Sequence, residues 1–260
     1  SIGFSEKGYD EAPFAKAIAQ HLGTDHTELY AKSSDALDLI EKMPAIYDEP
    51  FADSSQIPTA LVSLLTKQYV TVVLSGDGGD ELFAGYDPFH ALRFADVIER
   101  ALPTPIHRGI RSLLSRITPS HGYMSTRFKI DRTLRGFGHG PALWNPLWLA
   151  PVSPNELEEL LGEPVELESL YSEAIEAWDG CNSDHPIDRS LEFFARVFLQ
   201  DDILVKVDRM SMMHGLEVRS PFLDHDLVDC VRRIPHGLKL RGRTTKYVLK
   251  KAMEPLLPKE

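Results

Sequence analysis

The sequence predicts an α/β protein, with a parallel-sheet core followed by a mainly helical region and a soft boundary near residue 88. Three observations carry this. In the first third, short apolar segments alternate with helix-period patterns and Gly or Pro breaks, as α/β chains do. One apolar segment, residues 69–74, runs straight into Ser75-Gly76-Asp77-Gly78-Gly79-Asp80-Glu81, a turn with three glycines and three carboxylates. Beyond residue 88 the apolar spacing is helical.

Ser1-Ile2-Gly3-Phe4 reads as the end of a strand, with no initiating Met, so the chain reads as an excised piece of something longer. Residues 10–22 place Ala12, Ala15, Ile18, Ala19 and Leu22 on one face of a helix that Gly23 stops. Residues 26–30 are a short strand candidate. Residues 33–43 form a second helix, with Ser33 or Ser34 as cap and Pro44 as terminator. Residues 58–68 make the next helix. Residues 69–74 suit a buried parallel strand, and the acidic turn then sits at its carboxyl end, where open α/β sheets bind ligands.

Residues 89–116 read as helical apart from Pro103-Thr104-Pro105, while residues 136–154, with Trp144, Trp148 and several prolines, read as ordered but irregular. Leu191, Phe194, Ala195, Phe198 and Leu199 recur at helical spacing. Leu223, Leu227, Val228 and Val231 do so again before Pro235-His236-Gly237. This helical part is expected to pack on the carboxyl ends of the strands. Leu256-Leu257-Pro258-Lys259-Glu260 stops just after a helical pattern, which reads as a second cut.

At 260 residues and 43% hydrophobic, the chain can build a real core. Its formal charge of −11, from 39 acidic against 28 basic residues, argues against nucleic acid or an anionic membrane as partner. Cys181 and Cys230 form no C-x-x-C pair, which fits a reduced, cytoplasmic protein and excludes a cysteine-built metal site. No apolar run approaches the roughly 20 residues of a membrane helix.

The acidic turn reads as part of an ATP site. Its glycines let backbone N–H groups come close to a ligand, and its carboxylates repel phosphate, so they read as holding Mg2+. A surface Gly/Asp turn is the bland alternative. P-loop, dinucleotide, EF-hand, H-E-x-x-H and G-x-S-x-G patterns are all missing.

A second constellation runs from Asp201 through Lys206, Asp208 and Arg209, then Glu217 and Arg219. Charges of both signs among apolar residues could hold an amino-acid-like substrate or could form a structural ion-pair network. Lys246 is a third candidate, for a phosphate or intermediate contact, against a solvated helix face. His21, His26, His214 and His225 show no ligand spacing and read as ordinary surface or packing residues.

Four stretches, Ser75 to Tyr86, Lys206 to Met212, Gly215 to Asp224 and Thr245 to Lys250, together resemble the synthetase domain of glutamine-dependent asparagine synthetases over nearly the whole chain. The resemblance implies an ATP-pyrophosphatase fold (adenine nucleotide alpha hydrolase-like), with residues 1–88 as part of the nucleotide-binding core and residues 89–260 as the helical substrate side. It also implies a reaction in which the carboxylate of aspartate, or of another small acid, attacks the α-phosphorus of ATP and ammonia then attacks the acyl-adenylate.

By the same resemblance, Ile2 lines the adenine pocket, Ser75 and Gly76 contact the nucleotide, and Asp80 is a Mg2+ ligand. Asp77 stands where many members carry the longer Glu, at a position tied to forming the acyl-adenylate, and Lys246 joins it in catalysis. Glu81, Lys206, Asp208 and Arg209 lie near the substrate, held by Glu217 and Arg219. A Ser-Gly-Gly-x-Asp-Ser loop, a second Mg2+ carboxylate, an ammonia-supplying glutaminase domain and an Arg-x-Lys segment are expected outside this chain. The piece alone is therefore expected to fold without turning over. A homodimer is left open, as are a cyclase or amidotransferase acting on another acid and a non-catalytic nucleotide-binding scaffold.

Overall fold

The computed structural model describes residues 1–4, 10–92, 106, 132–136 and 139–258. Strand β1 (Ile2–Phe4) pairs in parallel with β2 (Leu29–Ala31), Ile2 opposite Leu29, and helix α1 (Ala12–Leu22) connects them. Pro13 sits in the first turn of α1, where a missing N–H costs nothing. Gly23 ends the helix at φ 67°, with its N–H on Gln20 O and the Thr24 N–H on Ala19 O, a Schellman closure. Of the expected apolar face, Ala12 and Ala19 are buried while Ile18 and Leu22 stay exposed.

Helix α2 (Ser33–Ile40) stops before Pro44, which instead opens α3 (Met43–Tyr47). The proline was expected to terminate a helix. Its fixed φ and absent donor suit a first turn equally well, and that is where it falls. Helix α4 (Gln56–Lys67) likewise begins ahead of Pro58.

Strand β3 is shorter than expected, Val72–Leu74, and pairs in parallel with β4 (Glu217–Arg219), a strand the residue pattern does not announce. The expectation that β3 is buried is corrected: Val72 is 40% and Leu74 68% exposed. Its sheet has two strands among the described residues. The short helix α5 (Gly79–Phe83) follows the turn.

Further corrections come later in the chain. The segment expected to be irregular holds a 3-10 turn, Pro141–Leu143, and the helix Trp144–Leu149, whose Trp144 and Leu147 are buried. The single helical period seen around Leu191 resolves into the α-helix Pro186–Phe193, a π-helical stretch Phe194–Leu204 and the α-helix Val205–Met212. Such i→i+5 winding is rare, and it turns the side chains that follow to a new direction. Helix His225–Arg232 forms as expected, capped by Asp224 accepting from Asp226 and Leu227 N–H. The helix expected over 89–116 lies for the most part outside the described residues.

The contacts divide the chain into two units. The first comprises Ser1–Gly79, Leu199–Arg233 and Lys246–Glu260 and holds both sheets. Its core joins Leu39, Tyr47, Ala60 and Met210, as helix Val205–Met212 packs on α4. The second comprises Asp80–Phe198 and Ile234–Thr245, around a core that includes Phe89, Trp144, Trp178, Ile187, Phe194 and Leu240. Among the described residues, no helix is long and apolar enough to cross a membrane.

Candidate active site

The acidic turn is built by the parallel pairing of β3 and β4. The Ser75 N–H donates to Arg219 O at 2.9 Å, which carries the ladder one step past the strand. Ser75 Oγ then donates to Asp77 Oδ2 at 2.7 Å and lies 3.0 Å from Ser220 Oγ. Two segments 145 positions apart are thereby tied together at the strand's carboxyl end.

The glycines of this turn have separate reasons to be there. Gly78 has φ 90°, and a Cβ on it would meet Leu223 Cδ2 at 2.5 Å. An L side chain there would be strained and would have to displace the Leu223 side chain. Gly79 packs on the Phe222 ring, and its N–H closes the turn on Gly76 O at 3.2 Å. A Cβ on Gly76 would meet nothing within 4 Å, so that position is open.

Asp80 lies in the first turn of α5, half-buried, and its carbonyl accepts the Gly85 N–H at 2.9 Å. The bend between them forces Ala84 to φ 56° although it is fully buried. A non-glycine residue held there costs on the order of 1 kcal/mol, and such strain concentrates at functional turns. Glu81 is buried and accepts a hydrogen bond from Tyr86 Oη, whose ring stacks on Phe194 and meets Phe198 edge-on.

Lys206 sits on the buried face of helix Val205–Met212, with Met210 and Ser211. Its Nζ donates to Asp53 Oδ2 at 2.6 Å and to Ser55 Oγ at 2.7 Å. Ser55 in turn gives its N–H to Asp53 Oδ1 and its hydroxyl to the same carboxylate, each at 2.8 Å. Two of the three ammonium hydrogens are thus engaged.

Burial works to raise the Asp53 carboxyl, yet the Lys206 and Ser55 hydrogen bonds and the Lys206 charge outweigh it and hold the group below the usual carboxylate range. Asp202 is in the opposite case. Burial and repulsion from Asp53 push it up to about 6, only partly opposed by Lys206. The Tyr47 phenol, desolvated and facing Asp53 and Asp202, is pushed up to about 12. Local spacing gives no sign of Asp53 and Ser55, 153 and 151 positions from Lys206.

Other expected site residues fall as follows. Asp208 and Arg209 lie on the exposed side of the Lys206 helix. Glu217 and Arg219 pair with one another on β4, Nε to Oε1 at 2.8 Å, both largely exposed, while the contacts found for Lys206 are with Asp53 and Ser55. Ile2 begins β1 against Leu29. Lys246 does not lie on a helix face; it precedes helix Tyr247–Met253 as the capping residue, at φ 51° and half-buried. It is one of three non-glycine residues with positive φ among the described ones, with Asp48 and Ala84.

A strand feeding a strained acidic glycine turn, in a mixed α/β chain, defines a candidate ligand-binding α/β enzyme domain. The family follows from comparison with known proteins. The family model described as Asparagine synthase matches residues 1–260, and the chain belongs to that family. A Mycobacterium bovis protein provisionally named a glutamine-hydrolysing asparagine synthetase is 32% identical over 99% of this chain and 38% of its own length. Bacillus subtilis asparagine synthetase 1, named as glutamine-hydrolysing, is 28% identical over 99% of this chain and 40% of its own length. Amidase chry2 of Gibberella zeae is 27% identical over 100% of this chain and 41% of its own. The chain therefore spans about two-fifths of the length of these relatives.

Proposed function

We propose that the protein to which this chain belongs is an ATP-dependent, amide-forming ligase that makes asparagine from aspartate, with ammonia drawn from glutamine. The observation that carries this reading is the Ser75 to Glu81 turn at the end of β3, tied to Ser220 and held by Gly78, in a chain that matches the asparagine synthase family throughout. The names of the Mycobacterium bovis and Bacillus subtilis relatives, glutamine-hydrolysing asparagine synthetases, support this nitrogen donor and product.

The chemistry balances in two steps. A carboxylate oxygen attacks the α-phosphorus, an O–P bond forms, and the bond to pyrophosphate breaks. Ammonia then attacks the acyl carbon, the C–O bond to AMP breaks, and a proton leaves the nitrogen. AMP therefore departs with one oxygen of the acid. In this scheme Ile2, Ser75 and Gly76 contact the nucleotide, and Gly76 is open enough for close approach. Asp77, oriented through Oδ2 by Ser75, and Lys246 serve formation of the acyl-adenylate. Lys206, Asp208, Arg209, Glu217 and Arg219 of the first unit serve the acid substrate, and Glu81 is assigned separately to the same role.

Mg2+ fits the donor chemistry, since Asp80 offers the hard carboxylate oxygen that this ion takes. Asp80 would hold the ion, which would supply positive charge against the departing pyrophosphate, while Asp77 keeps its second oxygen clear of the Ser75 bond.

A second reading keeps the adenylation and changes the acid, and the Gibberella zeae amidase, aligned over the entire chain, favours weighing it. One experiment tests both. Incubation of the full-length protein with ATP, ammonia and 18O-carboxylate aspartate should yield AMP carrying one 18O. Unlabelled AMP formed together with asparagine would refute the adenylate route; labelled AMP from a different acid, with none from aspartate, would move the assignment to the second reading.

A further inference from the structure

A cluster the proposed reaction does not use lies in the second unit. Among the described residues, His185, Asp188 and His236 are the one group of three such side chains whose ligand atoms all lie within 4.8 Å of one another. His185 caps helix Pro186–Phe193, Asp188 lies in that helix's first turn, and His236 opens the short helix His236–Lys239.

We propose that these three residues form a surface site for a divalent transition-metal ion of the Zn2+ or Ni2+ class. Two imidazoles and a carboxylate are the donor set such ions take, whereas Mg2+ prefers oxygen alone. His236 Nδ1 lies 3.0 Å from Asp188 Oδ2. The two are hydrogen-bonded now, and two ligands with bonds of about 2.1 Å are separated by about 3 Å at a right angle and about 3.4 Å at the tetrahedral angle, so a small shift spaces this pair for neighbouring positions on one ion. Ser183 Oγ donates to Asp188 Oδ2 at 2.8 Å and orients the carboxylate, as outer partners of metal ligands do.

His185 supplies the third ligand by turning. Its ring now stacks on that of His236 at 3.6 Å and 17°, a geometry in which one ion cannot lie in the plane of both rings. The side chain is exposed, and its bond from the Ile187 N–H is long, at 3.3 Å. Rotation breaks that bond and the stack and brings a ring nitrogen to the ion. The neighbouring carboxylates Asp184 and Asp179 are paired with Arg189, at 3.1 and 3.9 Å, and stay outside the ligand set. Water fills the remaining positions.

The test is calorimetric titration of the full-length protein with ZnCl2 and NiCl2 in a buffer containing excess Mg2+, and Co2+ absorption spectra as a second readout. One equivalent should bind at pH 7.5. His236→Phe and Asp188→Asn should each weaken it at least tenfold, and His185→Asn, which keeps an N-cap acceptor, should do the same with unchanged circular dichroism. No saturable binding at 1 mM metal, or binding equally tight in the folded His185→Asn and His236→Phe variants, would overturn the assignment.

Discussion

Lys206 Nζ lies 2.6 Å from Asp53 Oδ2, and the pair links helix Val205–Met212 to the loop that leads into α4. Only 9% of the Lys206 side chain and 20% of Asp53 are exposed, so the pair is poorly screened by water. Removing one partner leaves a charge without compensation. Asp53→Ala should therefore cost about 3 kcal/mol in urea unfolding, at the lower end for breaking a buried pair. Asp53→Ala with Lys206→Met should be less destabilised than the sum of the single changes by about 1 kcal/mol or more, and strict additivity would show that the two do not interact.

The same network sets a pH dependence. Asp202 is raised from its ordinary value near 3.8 to about 6, so the folded protein holds its proton more tightly than the unfolded chain does. Its contribution is fully present below pH 3.8 and is lost as pH rises through about 6. Asp202→Asn should match the wild type near pH 3.5 and exceed it above pH 7 by about 2 kcal/mol, the roughly 3 kcal/mol of a two-unit shift reduced for solvent screening of a partly exposed group. Asp53, held low, acts oppositely, stabilising above its ordinary value and losing that contribution as pH falls through its folded value. A stability difference independent of pH would contradict the placement of Asp202 beside Asp53.

Gly78 is the residue on which the acidic turn depends. A methyl group there meets Leu223 at 2.5 Å, at a φ of 90° that L residues rarely adopt. Gly78→Ala should lower stability by about 2 kcal/mol, as overpacking and backbone strain combine. Denaturant midpoints within error of the wild type would show that the turn has another conformation.

Much of this was legible from the sequence where the determinants are local. Gly23 ends α1, and the apolar run into Ser75 is a strand that ends at the acidic turn. The misses share a different cause. Pro44 is as compatible with a helix start as with a stop, and residue type alone does not choose. The π-helical stretch keeps an apolar spacing close to that of an α-helix. Strand β4 is three residues long and alternates charge with one Val, so only its pairing with β3 identifies it. Asp53 beside Lys206, and His236 beside Asp188, are juxtapositions of residues 153 and 48 positions apart, which no periodicity encodes.

Asp77 offers a functional counterpart. Its carboxylate is fixed by Ser75, so removing it should act on chemistry more than on folding. Asp77→Ala should reduce acid-dependent ATP–pyrophosphate exchange by about 100-fold, while Asp77→Glu should retain most of it. Equal exchange in Asp77→Ala and wild type would remove this residue from the reaction.

The most direct measurement of the central claim is ATP–pyrophosphate exchange by the full-length protein, run with aspartate, with other small carboxylic acids, and with no acid. The account predicts exchange that requires Mg2+ and aspartate and is abolished by Asp80→Ala. Exchange that is absent with every acid while ATP still binds, or that proceeds equally without acid, would contradict it.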